Sequence, residues 1–352
     1  MNKHITEYVG LDLGDQKSMM HVRNQDGEFV EELRMPTTAR ALERAFRDRA
    51  PLWIAMEVGS HSRWVSRQLS SYGHQVIVAD PRQLRLIYKN PRKSDRVDAE
   101  YLARLVRVDR ELLFPVVHRS PETQTHLAQL RARDILVQAR TQLVNHARGM
   151  VKSFGGRLPS CSTESFGRKA RPALPEELRP ALEPILDSIQ EISRRIQEFD
   201  QEIERLCEDQ FPETVGLRQI KGVGALTALA FVLTLEEAGR FKSSREVAPY
   251  LGLVPKKRQS GDADPQGHIT KTGDAYLRRL LVGSAHYILG PFGAESRLRT
   301  WGLKLAERGG KAAKKRATVA VARKLAVLLH RLWVSGEDYH AFYPARSVED
   351  PA

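Results

Sequence analysis

Thr6-Glu7-Tyr8-Val9-Gly10-Leu11-Asp12-Leu13 is followed directly by Gly14-Asp15-Gln16 and then by the apolar-polar run 18–23. The first stretch alternates closely enough for a strand, the Gly-Asp-Gln step supplies a turn, and the second run reads as another strand. Asp26-Gly27 closes a hairpin onto a third strand over 29–35. Further along, the pattern predicts a helix over 39–49, a short buried strand over 52–56 ending at Glu57, a helix over 60–72 and a strand over 74–79. Strands that alternate with helices imply a sheet covered on at least one face.

Three antiparallel strands with a carboxylate on the first open an RNase H-like α/β fold. Asp12 lies within the first strand and Glu57 at the end of the fourth, so both are expected over one edge of the sheet. The next acids lie in Lys93-Ser94-Asp95-Arg96-Val97-Asp98-Ala99-Glu100, which begins the apolar-periodic run of Val97, Leu102, Leu105 and Val106. Asp95 and Asp98 are three residues apart and share a helix face. Acids in a first helical turn also have a plain structural use, since they complement the macrodipole and cap free amides. Four carboxylates converging from two strands and one helix would instead hold a divalent metal, Mg²⁺ or Mn²⁺, by hard oxygen ligands.

Composition narrows the partner. The chain has 352 residues, enough for two or three domains, and 56 Lys+Arg against 43 Asp+Glu leave a formal charge of +13. A pI near 9.8 points to a polyanion, most economically nucleic acid. No apolar run reaches the roughly 18 residues of a membrane helix and no signal-peptide core is present, so the expected location is the cytoplasm, associated with the nucleoid during action. Cys161 and Cys207 have no neighbouring Cys/His spacing for zinc and read as incidental thiols.

Beyond Asp80-Pro81 the chain turns basic, with Arg92, Lys93 and Arg96 flanking the paired aspartates. A long polar helix over 121–154 carries Arg131, Arg140 and Arg148 around an apolar stripe, and 157–175 reads as a linker or mobile loop. Leu178, Leu182, Ile185, Ile189, Ile192, Ile196, Phe199, Ile203 and Leu206 then repeat at alternating three and four, a heptad seam that suits either packing on the preceding helix or dimerisation. Gly222-Val223-Gly224 is a turn between helices of the helix-hairpin-helix kind, whose amides can face a phosphate. A basic loop, Lys256-Lys257-Arg258-Gln259-Ser260-Gly261, is followed by Lys271 and by a helix bearing Arg278 and Arg279. Lys311, Lys314, Lys315 and Arg316 follow the Gly309-Gly310 break. All these cations are candidate nucleic-acid contacts.

Taken in order, Gly-Leu-Asp-Leu-Gly-Asp-Gln-Lys, Met-Glu-Val-Gly, Lys-Ser-Asp-Arg-Val-Asp-Ala, Gly-Val-Gly and Tyr-Leu-Gly-Leu-Val-Pro with Ile-Thr-Lys-Thr-Gly-Asp-Ala-Tyr-Leu-Arg resemble the transposases, or bridge-RNA-guided recombinases, of the insertion sequence 110 family and its 1111 subgroup. The resemblance implies a RuvC-like catalytic domain over 1–118 with an Asp-Glu-Asp-Asp tetrad at Asp12, Glu57, Asp95 and Asp98. It also implies a helical coiled-coil dimerisation segment over 119–210 and a mainly helical transposase domain over 211–352 with a nucleophilic serine at Ser260. In this chain that serine is followed by Gly261-Asp262-Ala263-Asp264, where members often have glycines. Implied partners are a structured guide (bridge) RNA, donor and target DNA, and further copies of the chain as a homodimer or homotetramer whose active site is shared between protomers. The rival reading is a RuvC-like junction-resolving endonuclease that uses water, with the C-terminal half gripping DNA. A non-enzymatic RNA-binding scaffold would require all four acids to be accidental.

Overall fold

A computed structural model describes residues 5–84, 94–256, 267–307 and 309–342. The chain divides into two compact units, Met1–Arg119 and Ser120–Ala352. In the first, β1 (Glu7–Leu13), β2 (Lys17–Asn24), β3 (Phe29–Pro36), β4 (Trp53–Glu57) and β5 (Gln75–Ala79) form one sheet in the order β3-β2-β1-β4-β5. The first three strands pair antiparallel, while β4 and β5 run parallel to β1. The predicted strands and helices of this unit are present, with ends shifted by a few residues.

Alternation along the strands gives the sheet two apolar faces. On one, Val9, Leu11, Ile54 and Met56 pack under α1 (Ala39–Phe46) and α2 (Ser62–Ser71) through Leu42, Phe46, Val65 and Leu69. On the other, Tyr8, Trp53, Ala55, Ile77 and Ala79 meet Leu102, Val106 and Leu113 from α3 (Asp95–Val108) and the turn after it. Helix α3 begins at Ser94, whose side chain accepts from the Val97 amide at 3.3 Å. The cap is therefore the serine, and neither Asp95 nor Asp98 is spent on it.

In the second unit α4 (Pro121–Ser153) and α6 (Arg179–Asp209) lie side by side. The stretch read as a linker contains a helix instead, α5 (Thr163–Ala170), because Phe166, Ala170, Leu174 and Leu178 are apolar at spacings that bury them against Val144, Ala147 and Val151. A Pro/Ser/Gly/Arg composition hid those few core residues. The heptad positions of α6 close within the chain: Leu182 and Ile189 pack with α4 and α5, and Ile203 and Leu206 pack with Leu127 and Leu130.

That second core continues through α7 (Glu213–Arg218), α8 (Ala225–Leu235), α9 (Val247–Tyr250), α10 (Ala275–Leu289), α11 (Arg297–Ala306) and α12 (Gly310–Ser335). Helix α8 is buried on nearly every side, as a sequence broken only by Thr227 and Thr234 in an otherwise apolar run requires, and Gly222 before it adopts φ +102° against Tyr287 and Ile288. No helix among the described residues is long and apolar enough to cross a membrane.

Candidate active site

The course of α3 over the sheet is decided at Gly10. A Cβ placed there would lie 1.8 Å from the Ala99 carbonyl oxygen and 2.5 Å from the Ala103 amide nitrogen, so helix backbone rests directly on strand backbone. Direction follows from the ends of the helix. Arg107 donates to the Gln25 carbonyl at 3.2 Å in the hairpin beside the start of β1, and the Arg110 guanidinium stacks 4.4 Å from the ring of Trp53, the first residue of β4. Thus α3 runs antiparallel to β1, with Asp95 and Asp98 toward the C-terminal ends of β1 and β4.

Asp12 and Glu57 occupy those strand ends. Leu11 pairs with Met56 in the parallel ladder, so the residues that follow each, Asp12 and Glu57, are neighbours across it. Two residues beyond Gly10, Asp12 shares the strand face that meets α3. Sequence and fold therefore bring Asp12, Glu57, Asp95 and Asp98 to one end of one face. Asp12 and Glu57 are half-buried, Asp98 is buried and Asp95 exposed. The carboxylate donor set suits a hard divalent cation. Among the described residues no three His, Cys, Asp or Glu side chains converge closely enough to hold an ion.

Ion pairs fasten α3 to the sheet: Arg23 to Glu100 at 2.7 Å, and Arg96 to Glu32 at 2.8 Å. Beyond Glu57, the Ser62 hydroxyl donates to the Gly59 carbonyl, accepts from the Gly59 amide and lies 3.0 Å from His118 Nε2. Burial, and then the charges of Arg63, Arg67 and Arg119, push the His118 pKa down. Sequence reasoning missed this Ser-His support of the strand end. It also missed Gly10, although an isolated glycine inside a strand pattern signals a close backbone approach.

In the second unit, Pro255 and Ile269 form an antiparallel bridge, and the Lys256 amide donates to the His268 carbonyl at 2.9 Å. Ser260, Lys257 and Arg258 lie outside the described residues, as do Arg92 and Lys93. Three predicted contacts need correction because their side chains are engaged internally. Arg140 is buried, bonded to Ser193 and Glu164. Arg148 donates to the Pro159 carbonyl at 3.0 Å and covers the Phe166 ring. Arg278 donates to the carbonyls of Leu251 and Thr272, stapling the Gly-Leu-Val-Pro stretch to the Thr-Gly-Asp stretch. Lys271 adopts φ +57° and is exposed, but its amide donates to Gly252. Its location is thus set by the backbone, with the ammonium still in solvent.

Arg131 pairs with Asp274 at 3.1 Å and Arg279 with Asp134 at 2.6 Å. Lys311, Lys314, Lys315 and Arg316 are exposed along the start of α12, where no carboxylate among the described residues pairs with them.

A five-stranded sheet of this order, flanked by helices, fits an RNase H-like fold. The comparisons with known proteins give the family. Residues 9–155 match the DEDD transposase family of insertion sequence 110, and residues 216–297 match the transposases of the IS116/IS110/IS902 family. The transposase for insertion sequence element IS1111A of Coxiella burnetii is 28% identical over 81% of this chain and 79% of its own. The transposase for insertion sequence element IS1328 of Yersinia enterocolitica is 28% identical over 83% and 87%. A Pseudomonas aeruginosa protein named as a family 20 transposase is 29% identical over 80% and 83%. The chain belongs to the IS116/IS110/IS902 family of transposases, enzymes that cut and rejoin DNA strands.

Proposed function

We propose that the chain cuts and rejoins DNA with a Mg²⁺- or Mn²⁺-binding tetrad of Asp12, Glu57, Asp95 and Asp98 and with Ser260 as nucleophile. One observation carries the first half of this reading: α3 crosses β1 at Gly10 antiparallel to it, and so delivers its first turn to the strand ends that bear Asp12 and Glu57. When bound, the metal would neutralise charge on the scissile phosphate and polarise it for in-line displacement. The protein's own part would be to hold Asp12 and Glu57 on the sheet and Asp95 and Asp98 on the helix that crosses it.

The nucleophile reading rests on the family resemblance and on the cationic sequence around the loop. Ser260 Oγ would form a bond to phosphorus as the bond from phosphorus to the departing sugar oxygen breaks, and the hydroxyl proton would pass to that oxygen. A covalent phosphoserine keeps the phosphodiester's energy for rejoining. A structured guide RNA would choose donor and target DNA by pairing, leaving the chain to grip backbone. Lys256, Lys311, Lys314, Lys315 and Arg316 are the described cations best presented for that grip.

Ser260→Ala should lose strand joining while binding Mn²⁺ as the parent does, and DNA should be trapped covalently only on the parent protein. If Ser260→Ala nicks DNA at the parent rate and no adduct survives denaturation, hydrolysis by water, as in a junction-resolving nuclease, replaces this reading.

Assembly of two or four copies would use α6. Ile185, Ile192 and Phe199 remain half-buried beside the closed seam, whereas Ile196 is buried. Ile196→Asp should therefore destabilise the second unit itself by several kcal/mol, on the order of the cost of an unpaired buried charge. Ile192→Asp should leave it folded and lower the assembly mass in light scattering. An unchanged mass for Ile192→Asp would confine α6 to packing within the chain.

A further inference from the structure

The second unit contains a cleft of about 780 Å³ between α11, α12 and the segment that follows α12. Its rim is cationic: Arg245, Arg297, Arg323, Lys324 and Arg331 line it, and none of the described residues lining it is acidic. Periodicity explains the clustering, because Lys324, Val327 and Arg331 are spaced by three and four along one face of α12, with Arg323 beside Lys324. Arg245 and Arg323 have no carboxylate partner among the described residues, and the pair of Arg331 with Glu337, at 3.5 Å, lies in solvent. The floor is apolar, from Leu298 and Leu328, and Trp301 forms a wall. The Lys324 ammonium sits 3.6 Å from the Trp301 ring centroid; burial, and then Arg297, lower its pKa.

Like charges gathered around one cleft repel one another, so the cleft is better off with an anion inside. Its volume is that of a small-molecule site rather than of a bare phosphate. A cationic rim over an aromatic wall and apolar floor matches a nucleotide whose base has left its stack: rim for phosphates, floor and indole for the base. A duplex keeps its bases stacked and presents only phosphates.

We propose that this cleft binds single-stranded nucleic acid by seating one unstacked nucleotide, its base against Leu298 and against the Trp301 face that Lys324 gives up for a phosphate, and its flanking phosphates on Arg245 and Arg323. The proposal rests on the chain's handling nucleic acid and is independent of the acid tetrad and Ser260. Strand cleavage and cleft binding are therefore separable by measuring affinity in EDTA.

The test uses the full chain, fluorescein-labelled decathymidylate and a blunt duplex of the same length. Arg245→Ala/Arg323→Ala should weaken single-strand binding about tenfold and flatten the log-log salt slope by roughly 1.4, about 0.7 for each phosphate that is no longer neutralised. Trp301→Leu should weaken it about fivefold or more, and Trp301→Phe should restore it to within about twofold. Thermal unfolding of each variant distinguishes weaker stacking from weaker packing. Duplex affinity should stay within about twofold throughout. An unchanged single-strand affinity and salt slope in the double arginine variant overturns the proposal. So does an equal loss for duplex and single strand, which would make the cleft a backbone site without a base, or competition by millimolar inorganic phosphate alone.

Discussion

Asp98→Ala should reduce Mg²⁺-dependent strand cleavage on the order of a thousandfold while nucleic-acid affinity stays within about threefold. The size follows from what the carboxylate would do. A metal site contributes several kcal/mol of transition-state charge stabilisation, and each 1.36 kcal/mol is a tenfold change in rate. Asp98 is the buried member of the tetrad, on the side of α3 that faces the sheet, so truncation to Ala removes a ligand without adding volume or opening the surface. Asp12→Ala and Glu57→Ala should match it, because the two lie at neighbouring ladder positions at the same end of the sheet. Nicking of supercoiled plasmid, read beside fluorescence anisotropy on the same preparation, separates chemistry from binding. Full activity in Asp98→Ala would remove that residue from the site.

The largest structural effect should come from a single methyl group. Gly10→Ala places a Cβ into backbone rather than into a movable side chain: the Ala99 oxygen would be 1.8 Å away. Relief requires α3 to lift from β1, which opens the layer of Ala55, Ala79, Leu102 and Val106. Overpacking of this kind costs about 1–3 kcal/mol, and more when the obstacle is backbone. The first unit should lose about 3 kcal/mol or fail to fold, and any folded fraction should cut DNA poorly, since Asp95 and Asp98 travel with α3. Gly59→Ala is the matched control. It lies two residues past Glu57, yet a Cβ there meets nothing within 4 Å, so its stability by calorimetry should remain near that of the parent. Equal melting of both variants would mean that α3 can yield at Gly10 without cost.

Residue types and short-range order determined a good deal. Alternation in 6–13 and 18–23, the Asp26-Gly27 turn and the buried 52–57 run led to the three antiparallel strands and to a fourth strand, because strand periodicity and turn chemistry are local properties; that the fourth runs parallel to the first came from the fold. The acids were legible for the same reason: each stands where an apolar run ends or a helix starts. Charge was legible as a total, but its allocation was not. Arg140, Arg148 and Arg278 look like surface cations in the sequence, and only the packing of α4 with α5 and α6, and of the 250–274 segment on itself, turns them inward toward Ser193, Phe166 and two carbonyls. The heptad seam likewise specified an apolar stripe without saying what covers it, since stripes on α4, α5 and a second copy are chemically alike.

What tertiary structure alone decided is that the first turn of α3 lies toward the strand ends that bear Asp12 and Glu57. Asp12 and Asp98 are far apart in the chain. Their approach depends on an antiparallel helix resting on a glycine, a pairing of distant backbones that no local pattern encodes. The cleft around Trp301 has the same origin: Arg245, Arg297 and Arg323 come from three separate elements, and their common field exists only once the core beneath α11 and α12 has closed. Side-chain chemistry is written residue by residue, whereas proximity is a property of burial, which the whole chain must satisfy at once.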